Sequence, residues 1–134
     1  MRAVRWTVPT LISMGSVLVL ALPAQRALAL TEKATWVLSG TLGCWKPGWA
    51  ARSVRVVTPH DVEWGFADSN GSYTVTGYDY PPVVRAQGRV RCSLQAGGAS
   101  DRCYTTAFKI PLVAGRTNYF TVNFKAPDAM RPCR

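Results

Sequence analysis

A chain of 134 residues with 16 Lys and Arg against 7 Asp and Glu, a formal charge of +9, holds one domain with a real core and not two. The basic excess favours anionic partners, and with no DNA- or RNA-binding motif in the chain we expect no nucleic acid among them. One histidine and four cysteines without close Cys or Cys/His spacing argue against a zinc site, so neither metal nor cofactor is expected.

Arg2 and Arg5, an apolar run over residues 11–22 and then Ala27-Leu28-Ala29 have the pattern of a secretory signal peptide. Cleavage after Ala29 leaves a domain of residues 30–134. The apolar run is shorter than the roughly 18 residues a bilayer requires, so the chain is not expected to span a membrane. Loss of Arg2, Arg5 and Arg26 lowers the charge from +9 to +6. Export would carry Cys44, Cys92, Cys103 and Cys133 into an oxidising compartment, where two disulfides are expected. The turn-rich residues 95–101 between Cys92 and Cys103 favour joining those two locally and leave Cys44 for Cys133.

Residues 37–44, rich in strand formers with interspersed glycines, read as the first strand. Lys46-Pro47-Gly48 places Pro and Gly in the order of a type II turn, flanked by Trp45 and Trp49. Residues 53–58 form a second strand, with Val54 and Val56 on one face, Arg55 on the other, and Pro59 ending it. A short strand is expected around Trp64. Asn70-Gly71 inside Asp-Ser-Asn-Gly-Ser-Tyr signals a tight type I′ hairpin.

After a corner at residues 77–82, the sequence Val-Val-Arg-Ala-Gln-Gly-Arg-Val-Arg-Cys at residues 83–92 separates into two faces if it alternates as a strand. Val84, Ala86, Gly88, Val90 and Cys92 share one; Arg85, Gln87, Arg89 and Arg91 share the other. Residues 104–110 alternate again, and residues 119–124 do so with Phe120, Val122 and Phe124 inward. The tail from Ala126 reads as irregular and held by Cys133. About seven short strands, regular turn signals and no long amphipathic helix predict an all-β antiparallel sandwich.

The order of these features resembles the transthyretin-like family of secreted proteins best known from nematodes. The resemblance rests on Leu38-Ser-Gly40-Thr-Leu42-Gly-Cys44, on Asp68-Ser-Asn-Gly71-Ser-Tyr73, on the cysteines at 92 and 103, and on Phe108-Lys-Ile110-Pro111. Carboxypeptidase regulatory-like domains and pollen Ole-type domains share the hairpin pattern. The resemblance implies a transthyretin-like (prealbumin/Ig-like) sandwich outside the cell and little about activity. Related hydroxyisourate hydrolases use several histidines and end in Tyr-Arg-Gly-Ser, whereas this chain has only His60 and ends Met-Arg-Pro-Cys-Arg. That chemistry is therefore not expected. His60, Asp61 and Glu63 have no nucleophile aligned by their spacing, which argues against an enzyme.

The candidate contacts are then Arg85, Arg89 and Arg91, whose guanidinium groups suit phosphate or sulfate. The plainer account is a wet sheet face whose charges keep an edge strand from pairing. Trp45 and Trp49 are candidates for stacking on sugar or entering a membrane interface; the alternative is that they plug the open end of the sandwich. Asn70-Gly71-Ser72 is a glycosylation sequon on a surface turn. The expected partner is an anionic cell-surface component, acidic lipid or glycan, or a receptor. The alternative, by analogy with the family's namesake, is an oligomeric carrier of small hydrophobic molecules.

Overall fold

The computed structural model describes residues 32–134; the expected leader and the expected cleavage after Ala29 lie outside them. Eight strands and no helix occur among the described residues. In chain order they are β1 (Ala34–Thr41), β2 (Trp49–Thr58), β3 (Asp61–Phe66), β4 (Ser72–Asp79), β5 (Val83–Leu94), β6 (Arg102–Pro111), β7 (Thr117–Thr121) and β8 (Arg131–Pro132). The first seven are the expected strands. The two residues of β8 lie in the tail read as irregular and pair with the start of β6.

The strands form two sheets around one core, in the orders β4-β1-β7 and β3-β2-β5-β6-β8. Trp36 and Leu38 of β1 and Val75 of β4 meet Val54 and Val56 of β2 and Val90 of β5, all of them buried. The two-residue period of side chains produces this directly, because each strand turns one set of residues inward and one outward. Along β5, Val84, Ala86, Gly88, Val90 and Cys92 are buried, while Arg85, Gln87 and Arg91 are exposed and Arg89 is half-buried. Gly88 makes room for a neighbour: a Cβ there would run into the ring of Phe124.

The expectation of a wholly antiparallel sandwich needs correcting at one pair. β1 and β7 run parallel, with Val37 opposite Tyr119. After β6 the chain leaves the five-stranded sheet, and it reaches the free side of β1 by crossing between layers rather than through a hairpin.

The disulfide pairing is also different. Cys44 joins Cys92 and Cys103 joins Cys133. The register of β5 and β6 sets Cys103 opposite Arg91 and Cys92 opposite Arg102, so Cys92 faces the core with Val90 while Cys103 shares the outer face with Arg91. Two cysteines on opposite faces of a sheet cannot bond, however short the loop between them. Cys92 instead meets Cys44 across the core, linking the two layers. Cys103 clamps the tail over the outer face.

At the turn after β3, the amide of Gly71 donates to the Asp68 carbonyl (3.0 Å) and that of Asp68 donates to the Ser72 carbonyl (2.9 Å). Ser69 and Asn70 are therefore the central pair, and Gly71 follows them with φ of 80°. The two-residue Asn-Gly loop gives way to this longer one because the Asp68 carboxylate accepts from the amides of Asn70 and Ser72, both at 2.9 Å. The type II turn at Lys46-Pro47-Gly48 forms as expected, with Trp49 N donating to Lys46 O (3.2 Å) and Gly48 at φ 90°.

Candidate anion-binding face

β5 lies in the middle of its sheet, so its arginines do not guard an edge. The plainer account of the row fails in that form, although the outer face is indeed exposed. The register assembles the face. Arg55 of β2 stands directly opposite Arg89, and Arg85 stands directly opposite Lys109 of β6. Opposed residues in neighbouring strands have Cβ atoms about 5 Å apart, and like charges in that position are destabilising. The face nevertheless holds two such pairs. Among the described residues one ion pair is made to it, from Arg91 Nε to Asp101 Oδ2 at 3.3 Å, and both partners are substantially exposed.

Trp64 of β3, opposite Arg55, extends the face to the sheet edge. It is 53% exposed, with the Arg55 guanidinium 6.0 Å from its ring centre. From the other side the tail held by Cys133 brings in Arg134. Arg55, Trp64, Arg89, Arg91, Arg134 and the Cys103–Cys133 bridge line a groove of about 210 Å³. A larger hollow of about 580 Å³ between β6 and the tail also includes Arg89, Cys103 and Arg134, and adds Arg131.

Of the residues singled out from sequence, Arg89 and Arg91 enter the groove. Arg85 lies beyond it on the same face, beside Lys109 and a third hollow of about 660 Å³. Trp45 and Trp49 are elsewhere. They are half-buried against the core, their rings 6.1 Å apart, and the Trp45 indole N–H donates to the Asp128 carbonyl at 2.7 Å. They pack against the core, apart from the arginine face. Asn70 is exposed at the centre of its turn, open to modification.

Three contributors escaped the sequence reading. Arg55 was legible as the polar residue between Val54 and Val56, but nothing in the sequence paired it with Arg89. Trp64 shares its two-residue spacing with Val62 and Phe66, and that alternation was the available signal. Arg134 is brought in by long-range contacts of the tail, namely the Cys103–Cys133 bond, the pairing of β8 with β6 and the Cys133 amide on the Asp101 carbonyl.

The histidine makes a different arrangement from the one considered. Its partner is Asp79 at the end of β4, not Asp61 or Glu63: His60 Nδ1 lies 2.8 Å from Asp79 Oδ1 and the His60 amide donates to Oδ2 at 3.0 Å. Asp79 is 1% exposed. Burial alone would push its carboxyl up, but hydrogen bonds from His60, Thr58 and the Tyr80 amide outweigh burial and hold it below the ordinary value. Asp61 instead accepts from the amides of Val62 (2.9 Å) and Tyr78 (3.0 Å). The nearby Asp61 carboxylate is the main reason the Glu63 carboxyl is raised. Among the described residues no hydroxyl or thiol is hydrogen-bonded to His60, and no cluster of metal-ligating side chains occurs.

No protein-family model matches the chain, and no curated protein is recognisably similar to it in sequence.

Proposed function

We propose that the protein is a secreted, non-enzymatic binding module of transthyretin-like type that contacts an anionic cell-surface component through the outer face of its five-stranded sheet. The supporting observation is the two directly opposed cationic pairs, Arg55 with Arg89 and Arg85 with Lys109, on a face to which, among the described residues, only Asp101 is ion-paired. An anion between such groups replaces repulsion by charge-assisted hydrogen bonds. The two disulfides accord with an oxidising compartment, and no helix among the described residues is long and apolar enough to cross a membrane. Binding of wild type and of the Arg85→Gln, Arg89→Gln, Arg91→Gln triple variant to heparin and to acidic liposomes tests the proposal. Wild type should be retained and should release as salt rises, with the variant passing through. Equal retention of the two proteins rejects the proposal.

A second reading, carriage of a small apolar molecule by an oligomer, draws on the hollow whose apolar lining includes Val57, Pro59, Ala86 and Phe108. Native mass spectrometry with a hydrophobic dye separates the two. A monomer that takes up no dye rules the carrier out.

A further inference from the structure

The anionic partner has two very different forms: a flat, headgroup-covered bilayer, or a narrow chain that enters a groove. We infer that the groove between Trp64 and the tail is a subsite for a sulfated sugar residue, with the indole as platform for the ring and Arg55, Arg89, Arg91 and Arg134 as receptors for its sulfates. The inference rests on the anion-binding function proposed above and specifies its ligand.

The depth of Arg89 favours a chain over a bilayer. Arg89 is half-buried, and it lines both the groove that Trp64 walls on one side and the hollow that the tail covers on the other. A planar surface cannot follow it there, whereas a single glycan strand can. The extent of the face agrees. From β3 to β6 the groove crosses three strand spacings, about 14 Å, and along β5 the charges from Arg85 to Arg91 extend over about 20 Å. This is the reach of a short oligosaccharide rather than of one small ion.

The chemistry of the wall also agrees. Arginine presents paired N–H donors in a plane, which match two oxygens of a sulfate. An exposed aromatic ring beside them offers an apolar surface to the C–H face of a pyranose, and a large, rigid aromatic is the kind of side chain that dominates binding energy in such sites. The outward-facing apolar residues of β3, Val62, Trp64 and Phe66, lie along one edge of the face and leave its cationic middle open.

The test is calorimetric titration, at about 0.15 M salt, with a heparin-derived tetrasaccharide, the same tetrasaccharide after desulfation, and phosphatidylserine liposomes. The sulfated sugar should bind, the desulfated one should not, and liposomes should bind more weakly. Trp64→Ala should weaken tetrasaccharide binding about tenfold, with Trp64→Phe restoring most of it. Unchanged melting temperatures would show that the variants are folded. Equal binding of the desulfated sugar, or undiminished binding by Trp64→Ala, overturns the inference. Liposome binding without tetrasaccharide binding overturns it too, while leaving the anion-binding proposal standing. If no probe binds, both fall.

Discussion

At the scale of single residues, two buried polar side chains close loops that the hydrophobic pattern does not explain. Asn118 accepts from the Val113 amide (3.0 Å) and donates to the Thr35 carbonyl (3.1 Å), tying the loop before β7 to β1. Asp79 gathers the His60 and Tyr80 amides and the imidazole. Replacing Asn118 with Ala should cost about 1–3 kcal/mol in urea unfolding, because its partners are left unpaired. For Asp79 the sign follows from the direction of its shift. A carboxyl held below its unfolded value of 3.8 stabilises the fold above that pH and ceases to do so as the pH falls. Asp79→Asn should therefore lower the melting temperature at neutral pH and flatten its decline in acid. Tyr73 and Tyr104 act at the other end of the scale. Their hydroxyls donate to the Val122 and Gly43 carbonyls, each at 2.7 Å, and burial pushes both phenols above the ordinary value of 10.0. Their contribution is complete below pH 10 and declines above it, as phenols of the unfolded chain ionise first. Tyr104→Phe should make the alkaline fall in melting temperature shallower.

At the scale of elements, alternation was the readable property and pairing was not. Residues 83–92 could be divided into a wet and a dry face from their order alone, and β5 is divided in that way. What lies opposite Arg89 is a fact about β2, more than thirty positions earlier, and no local pattern encodes it. The same gap explains the disulfides. Separation in sequence favoured Cys92 with Cys103, while the register of β5 on β6 put them on opposite faces. Tight packing of β5 gives one consequence: Gly88→Val should destabilise by about 1–3 kcal/mol, since the Phe124 ring occupies the space. The opposed cations give another. Arg89→Gln should raise stability slightly at low salt, by a few tenths of a kcal/mol, while reducing heparin binding.

At the scale of the whole molecule, the two disulfides have separate duties. Cys44–Cys92 links the sheets, and Cys103–Cys133 holds the tail that walls the groove. They join positions 48 and 30 residues apart, and loop entropy gives each about 4 kcal/mol. Replacing both members of either pair with Ala should lower the melting temperature. Only the Cys103 and Cys133 replacement should also weaken binding of the sulfated sugar, since only that bridge sets the groove wall. The sulfur pairing and the groove thus arise together from the register of β5 and β6, which is why neither was legible before the pairing was known.

The position of β1 affects how the molecule is made. It is the central member of its sheet, yet its two neighbours, β4 and β7, begin 38 and 83 residues after it does. At translation speeds of about 5–20 residues per second, a nascent chain carries this strand for several seconds with both flanks unsatisfied. Trp36 and Leu38 are therefore among the first core residues to leave the ribosome and among the last to be enclosed.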